Sequence, residues 1–206
     1  MIYSTYPAWV MGFHGCDQSV CNNVVRGNTS LQHSINEYDW LGHGIYFWEN
    51  NPLRAYEFAL EQKERGKIED PAVVGAIIDL NNCLDMTDMS SLTLVSEYFG
   101  HYNDICITNG TDLPKNKGEG KDRPLRILDC AVIESLLSYL DDKFEPYDSV
   151  RGVFVEGQAL FSGSSFRQKD HIQLCIRNAA CIKGYFLPLL DIKAEYNNVN
   201  RKRTTE

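Results

Sequence analysis

Apolar positions fall along the chain in two kinds of run. Some are short and continuous or alternating, and others recur at helical spacing. Residues 9–14 predict a short strand that ends at His14-Gly15, and residues 19–26 a helix closed by Gly27. The polar stretch 28–40 predicts a loop. Ile45-Tyr46-Phe47-Trp48 is aromatic and β-branched with glycines before it, which predicts a strand. Asn51-Pro52 opens a helix, because Asn caps well and Pro is tolerated in a first turn. Leu53, Tyr56, Phe58, Ala59 and Leu60 give it an apolar side up to Gly66.

Further on, the β-branched run 73–80 predicts a buried strand. Residues 92–99 and 127–140 predict helices, with a Gly/Lys/Asp-rich loop at 109–123 between them. Strands are predicted at 153–155, 171–177 and 181–189. The Ser162-Gly163-Ser164-Ser165 run predicts a surface loop. Residues 197–206 predict a disordered tail. Strands at both ends and helices in the middle predict an α+β fold.

Composition narrows the class. The chain has 206 residues, 43% of them hydrophobic, which suits one core built without disulfides or metal. No apolar run reaches the roughly 20 residues of a membrane helix. The first ten residues lack the basic and apolar regions of a secretory signal. A cytoplasmic protein with no membrane engagement is the expectation. The seven cysteines, Cys16, Cys21, Cys83, Cys106, Cys130, Cys175 and Cys181, include no C-x-x-C pair, so free thiols and no metal site are expected.

The net charge of -8 disfavours a broad nucleic-acid footprint. It leaves room for a local one. Lys115, Lys117, Lys121, Arg123 and Arg126 are clustered, and Arg201, Lys202 and Arg203 form a basic tail. A solvated loop and a frayed terminus are the simpler account of both.

Three segments carry candidate chemistry. They are Gly12-Phe13-His14-Gly15-Cys16, Trp40-Leu41-Gly42-His43-Gly44-Ile45-Tyr46-Phe47-Trp48, and Asp170-His171-Ile172-Gln173-Leu174-Cys175-Ile176. A Gln inside an apolar strand is unusual, because a buried amide needs partners. Alternation puts His171, Gln173, Cys175 and Arg177 on one face, the polar face expected of a pocket wall.

Together these segments resemble the poly- and mono-ADP-ribosyltransferase family of the diphtheria-toxin, or His-Tyr, type. His14-Gly15, Gly42-His43-Gly44-Ile45-Tyr46-Phe47 and Gln173 match its three motifs in order. The resemblance covers residues 13–60 well and 153–189 loosely. It implies an α+β fold with a split mixed or antiparallel β-sheet core and flanking helices. A single catalytic domain at 1–196 would contain a helical or loop insertion at 85–150. It also implies NAD+ as co-substrate. In the family the His bonds the adenosine ribose, the following Gly holds the nicotinamide carboxamide through its backbone, and the Tyr stacks on the ring. Those roles would fall to His14, Gly15 and Tyr46, and Gly44 is also expected among the residues that bind NAD+. Asn36, Tyr38, Asp39 and Trp40 form the stretch that covers the adenosine side in the family. Trp40 is expected first as a hinge or core residue and otherwise as a pocket residue, and Arg26 either reaches a phosphate or lies on the surface.

The sequence departs from the family where a catalytic Glu is usual, since Gln173 stands there. Gln can bond a ribose hydroxyl but supplies neither charge nor a base. Within the family this loss accompanies single transfer, so mono-ADP-ribosylation is expected. Glu156, at the opening of the loop where the family places target recognition, is the candidate substitute carboxylate. Asp170 and His171 are lesser candidates. Arg54 and Glu57 stand where relatives have a ribose-contacting Ser and a second stacking Tyr, for which Tyr56 or Phe58 is the alternative. Trp48 is expected in the core. The acceptor is a macromolecule, with nucleic acid slightly favoured over protein. By analogy the chain resembles a bacterial or phage-related toxin or anti-phage effector with a neutralising antitoxin partner. The rival readings are an NAD glycohydrolase and an inactive NAD- or ADP-ribose-binding module.

Overall fold

The computed structural model describes residues 9–118 and 125–203. Lys121 and Arg123 of the basic cluster, and residues 204–206 of the tail, lie outside the described residues. In chain order the elements are β1 (Val10–Asp17), α1 (Gln18–Val25), β2 (Ile45–Glu49), α2 (Pro52–Glu64), β3 (Pro71–Ile78) and β4 (Cys83–Asp85). Then follow α3 (Met89–Asn109), α4 (Ile127–Asp142), β5 (Ser149–Phe154), β6 (His171–Ile176), β7 (Ile182–Phe186) and α5 (Ile192–Arg203). Seven strands of mixed pairing and five helices make the chain α+β. No helix among the described residues is long and apolar enough to cross a membrane.

The chain forms two compact units, each discontinuous in sequence. The first comprises Met1–Gln32, Phe47–Asp79 and Ala180–Glu206. Here β1 pairs antiparallel with β3 from Val10↔Ile78 to Asp17↔Pro71, and β3 pairs antiparallel with β7. β1 therefore does not end at His14-Gly15. Its register with β3 carries it to Asp17, whose side chain then accepts the Ser19 N–H and starts α1. Gly27, at φ 74°, closes that helix as expected. Asn51 caps α2 through the Arg54 N–H, with Pro52 in its first turn. Phe13, Trp48, Ala55, Tyr56, Val73 and Ile192 form the core of this unit.

The tail corrects a second expectation. Residues 192–203 are helical instead of disordered from 197. Their polar composition hid two anchors: Ile192 is buried, and the Tyr196 ring meets Tyr56 at 5.4 Å. Before it, the strand expected over 181–189 stops at Phe186, and Leu187, Leu189 and Leu190 are exposed around Pro188.

The second unit comprises His33–Tyr46 and Leu80–Ala179. β5 and β6 pair antiparallel over six residues, from Ser149↔Ile176 to Phe154↔His171. β4 joins β5 in parallel, a three-residue strand too short for periodicity to mark. The segment 85–150, expected as an insertion, supplies both helices of this unit. α3 is far longer than the expected 92–99, because Asp88 caps it through the Ser90 and Ser91 N–H groups and it runs to Gly110 at φ 65°. Leu41, Leu84, Tyr98, Ile133, Leu136, Leu137, Val150 and Cys175 make one core.

Candidate functional site

In the first unit, His14 and Gly15 lie within β1. The His14 imidazole is half-buried and meets the Phe47 ring edge-on at 5.8 Å. Gly15 is glycine for a packing reason: a Cβ there would stand 2.1 Å from the Ala55 carbonyl oxygen of α2. Its backbone carries the more telling feature. The Met11 carbonyl accepts the Asn50 N–H at 2.9 Å, so Met11 faces β2. Alternate residues of a strand turn their peptide groups to the same neighbour, so Phe13 and Gly15 share that direction. The β1–β2 ladder has two described pairs, Gly12↔Glu49 and Phe13↔Trp48. Gly15 thus presents its N–H and C=O just past the end of that ladder.

The remaining candidates of this unit are committed to structure. Arg54 is buried, with Nη1 3.4 Å from Glu57 and 3.5 Å from Glu61, and its guanidinium 5.9 Å from the Trp48 ring centroid. Trp48 is core, as expected. Phe58 packs on Trp48 at 4.9 Å and Tyr56 on Tyr196 at 5.4 Å. Arg26 is exposed at the end of α1, where its N–H closes the helix on Asn22.

In the second unit, Tyr46 and its preceding turn form one hydrogen-bonded piece. The Tyr46 hydroxyl accepts the Leu41 N–H at 3.0 Å and donates to the Gly42 carbonyl at 2.8 Å. Gly44 exchanges two backbone bonds with Ser34, and a Cβ on it would stand 2.6 Å from Cys175 Sγ. Its backbone is therefore occupied, and it shapes the turn without offering groups to a ligand. Glu134 of α4 holds the turn from outside. One oxygen accepts the His43 N–H at 2.6 Å and the other lies 3.2 Å from His43 Nδ1. Gly42, at φ 84°, leaves the space this carboxylate needs.

Asp39 begins the turn, accepting the Asn36 N–H through its side chain and the Gly42 N–H through its carbonyl. Burial raises the Tyr46 pKa well above its ordinary value, and the neighbouring Cys175 and the Asp39 carboxylate add to this. Burial also pushes the Cys130 thiol up to about 12, with Glu134 and Asp39 contributing. Two carboxylates thus surround the Tyr46 turn; the sequence marks Asp39 only as part of the stretch before the turn, and does not mark Glu134. Glu134 stands 91 residues from His43 in an ordinary helical pattern. Asp39 carried a readable signal, since Asp three residues before Gly favours a turn.

β6 departs from the expected polar pocket wall. Cys175 is fully buried in the core. Gln173 Oε1 accepts the Trp40 indole N–H at 2.6 Å. His171 is buried, stacks on Phe154 at 5.3 Å, and places Nδ1 2.6 Å from the Lys169 carbonyl oxygen. Trp40 and Phe154 lie edge-to-face beside this face, with ring centroids 5.1 Å apart. Trp40, placed above on the adenosine side, is a structural partner of Gln173 here.

Glu156 sits half-buried at the base of the 157–169 loop, before Gly157 at φ 90°. Its N–H bonds to Asp170 Oδ1 and its carbonyl accepts the Lys169 N–H. Asp170 also accepts the Arg167 N–H, so it organises the loop. Gln173 pairs with Gly152. Four residues, the last two beyond the end of β5, then separate Glu156 from that position, roughly 13 Å at the rise of extended chain. Glu156 and Gln173 are therefore not brought together.

No group of three or more His, Cys, Asp or Glu among the described residues could hold a metal ion. Comparison with protein-family models, with curated proteins and with solved structures gave no match.

Proposed function

We propose that the chain is an NAD-consuming mono-ADP-ribosyltransferase. The observation that carries this reading is Gly15, next to His14, with its backbone N–H and C=O directed past the end of the β1–β2 ladder. A donor and an acceptor side by side on a strand edge match the two hydrogen-bonding groups of a carboxamide. The nicotinamide of NAD+ carries that group.

In this reading His14 bonds the adenosine ribose and Tyr46 stacks on the pyridinium, whose positive charge an aromatic face favours. The bond from the ribose C1′ to the nicotinamide nitrogen breaks, and nicotinamide leaves with the electron pair. Positive charge develops on the ribose as in other glycosyl transfers. An acceptor nitrogen then attacks C1′ and releases its proton to solvent.

Gln173 would donate its amide N–H to a ribose hydroxyl while Trp40 holds its oxygen. It adds no charge. Asp39, whose carboxylate opens the Tyr46 turn by accepting the Asn36 N–H, is then a candidate beside Glu156 for electrostatic support. Without a general base, a nucleophilic ring or exocyclic nitrogen of a nucleic acid is a better acceptor than a protein hydroxyl. A toxin or anti-phage effector with an antitoxin partner is the setting this chemistry suits. Incubation with NAD labelled in the adenylate and cell lysate tests the class of acceptor. Label is expected in material that nuclease removes; label that only protease removes would assign a protein acceptor.

One observation favours a second reading. Gln173 is neutral and its oxygen is engaged by Trp40, which suits a module that binds NAD or ADP-ribose without cleaving it. Binding of NAD with no release of nicotinamide would establish that reading. Release of free ADP-ribose with no labelled macromolecule would make the protein an NAD glycohydrolase.

A further inference from the structure

The second unit contains a cavity of about 400 Å³ between α3 and α4. Val95 and Phe99 of α3, Leu128 and Val132 of α4, and the Trp40 ring give it mostly apolar walls. Its size falls within the roughly 300–1,000 Å³ of small-molecule sites. Two wall residues are charged, Arg126 and Asp129. The Arg126 guanidinium lies 4.4 Å from the Phe154 ring centroid and 5.1 Å from that of Trp40.

Those rings hold the guanidinium in place but accept few of its hydrogen bonds. Arg126 Nε is buried with no hydrogen-bond partner among the described residues. The carboxylate paired with it, Asp129, stands 3.8 Å from Nη1, beyond hydrogen-bonding distance. Asp129 is itself engaged, accepting from Asn116 Nδ2 at 3.0 Å. A largely buried guanidinium with an unmet donor is completed by an anionic acceptor.

We propose that this cavity binds a small amphiphilic anion, an apolar or aromatic body bearing one carboxylate or sulfonate, with that group on Arg126. The apolar walls take the body and Arg126 selects for charge. The site does not depend on the proposed NAD chemistry, and its test reads binding alone.

The experiment is a fluorescence titration of the full chain with 8-anilino-1-naphthalenesulfonate and with its neutral counterpart, N-phenyl-1-naphthylamine. The sulfonate should bind saturably and be displaced by decanoate. Arg126→Gln should weaken sulfonate binding about tenfold, the usual worth of a charge-assisted hydrogen bond, and leave the neutral probe unchanged. Ser96 lines the cavity and is exposed, so Ser96→Trp should fill the opening without disturbing the core and block both probes. Thermal melting establishes that each variant is folded. Non-saturable binding of the sulfonate overturns the proposal, as does equal weakening of both probes in folded Arg126→Gln. Unchanged affinity for both probes in Ser96→Trp overturns it whatever Arg126→Gln does.

Discussion

The indole N–H of Trp40 donates to Oε1 of Gln173 across 133 residues of sequence, at 2.6 Å. This bond fixes the amide that the proposed function sets on the ribose side of NAD+. It explains how a polar side chain is tolerated in a strand whose Leu174, Cys175 and Ile176 are fully buried. Trp40→Phe removes the donor and leaves Gln173 Oε1 unmet. A loss of about 1–3 kcal/mol is expected in chemical denaturation. An unchanged midpoint would show that the bond does not form in solution.

Gln173→Glu keeps an acceptor for Trp40 and adds the missing charge. The variant should fold, and its NAD cleavage should rise above that of the wild type. A folded Gln173→Glu protein with unchanged or lower nicotinamide release would remove Gln173 from the ribose side of the proposed chemistry.

Negative charge near Tyr46 is proposed to come from Asp39. Asp39→Asn keeps an acceptor for the Asn36 N–H and deletes only the charge. Turnover should fall by roughly tenfold, equivalent to about 1.4 kcal/mol of barrier. Stability should change little. Equal rates in variant and wild type would assign Asp39 to turn geometry alone.

Much of the architecture was legible before the structure. The Asn51-Pro52 helix start and the Gly27 stop were read correctly, because each rests on local backbone chemistry. The Ile45–Trp48 strand and the α4 helix were read from their apolar patterns. Features set by distant partners were not legible. β1 runs past His14-Gly15 because β3 continues beside it, and α5 forms because Tyr196 finds Tyr56. The site was legible in the same uneven way. His14, Gly15 and Tyr46 follow from motif order, whereas Glu134 meets His43 only through tertiary packing. The polar face of β6 was read as a pocket wall because alternation says which side chains share a face and not what covers them.

Two glycines of the motifs are demanded by packing. Gly15→Ala drives a methyl into the Ala55 carbonyl oxygen, and Gly44→Ala drives one toward Cys175 Sγ and the Ile176 carbonyl oxygen. Each should cost about 3 kcal/mol, the upper part of the usual range for overpacking. Thermal or chemical denaturation checks this. Wild-type stability in Gly15→Ala would mean that α2 packs less closely on β1.

Acid should weaken the protein partly through Asp17. Backbone N–H groups of Asp70, Ser19 and Glu69, with the Ser19 hydroxyl, hold its carboxyl well below the ordinary 3.8. A group whose folded pKa is depressed stabilises the fold above its unfolded value, and that stability is lost as pH falls towards the folded value. Melting temperature should therefore drop as pH falls below 3.8. Asp17→Asn should flatten that drop. The same slope in wild type and variant would mean that Asp17 does not contribute to it.

Nicotinamide release from NAD+ bears most directly on the central claim. Purified full-length chain, given NAD+ and cell lysate, should release nicotinamide together with transfer of ADP-ribose to a macromolecule. Folded His14→Ala and Tyr46→Ala proteins should do neither. No release by the wild type, or wild-type release by folded His14→Ala, would contradict the assignment.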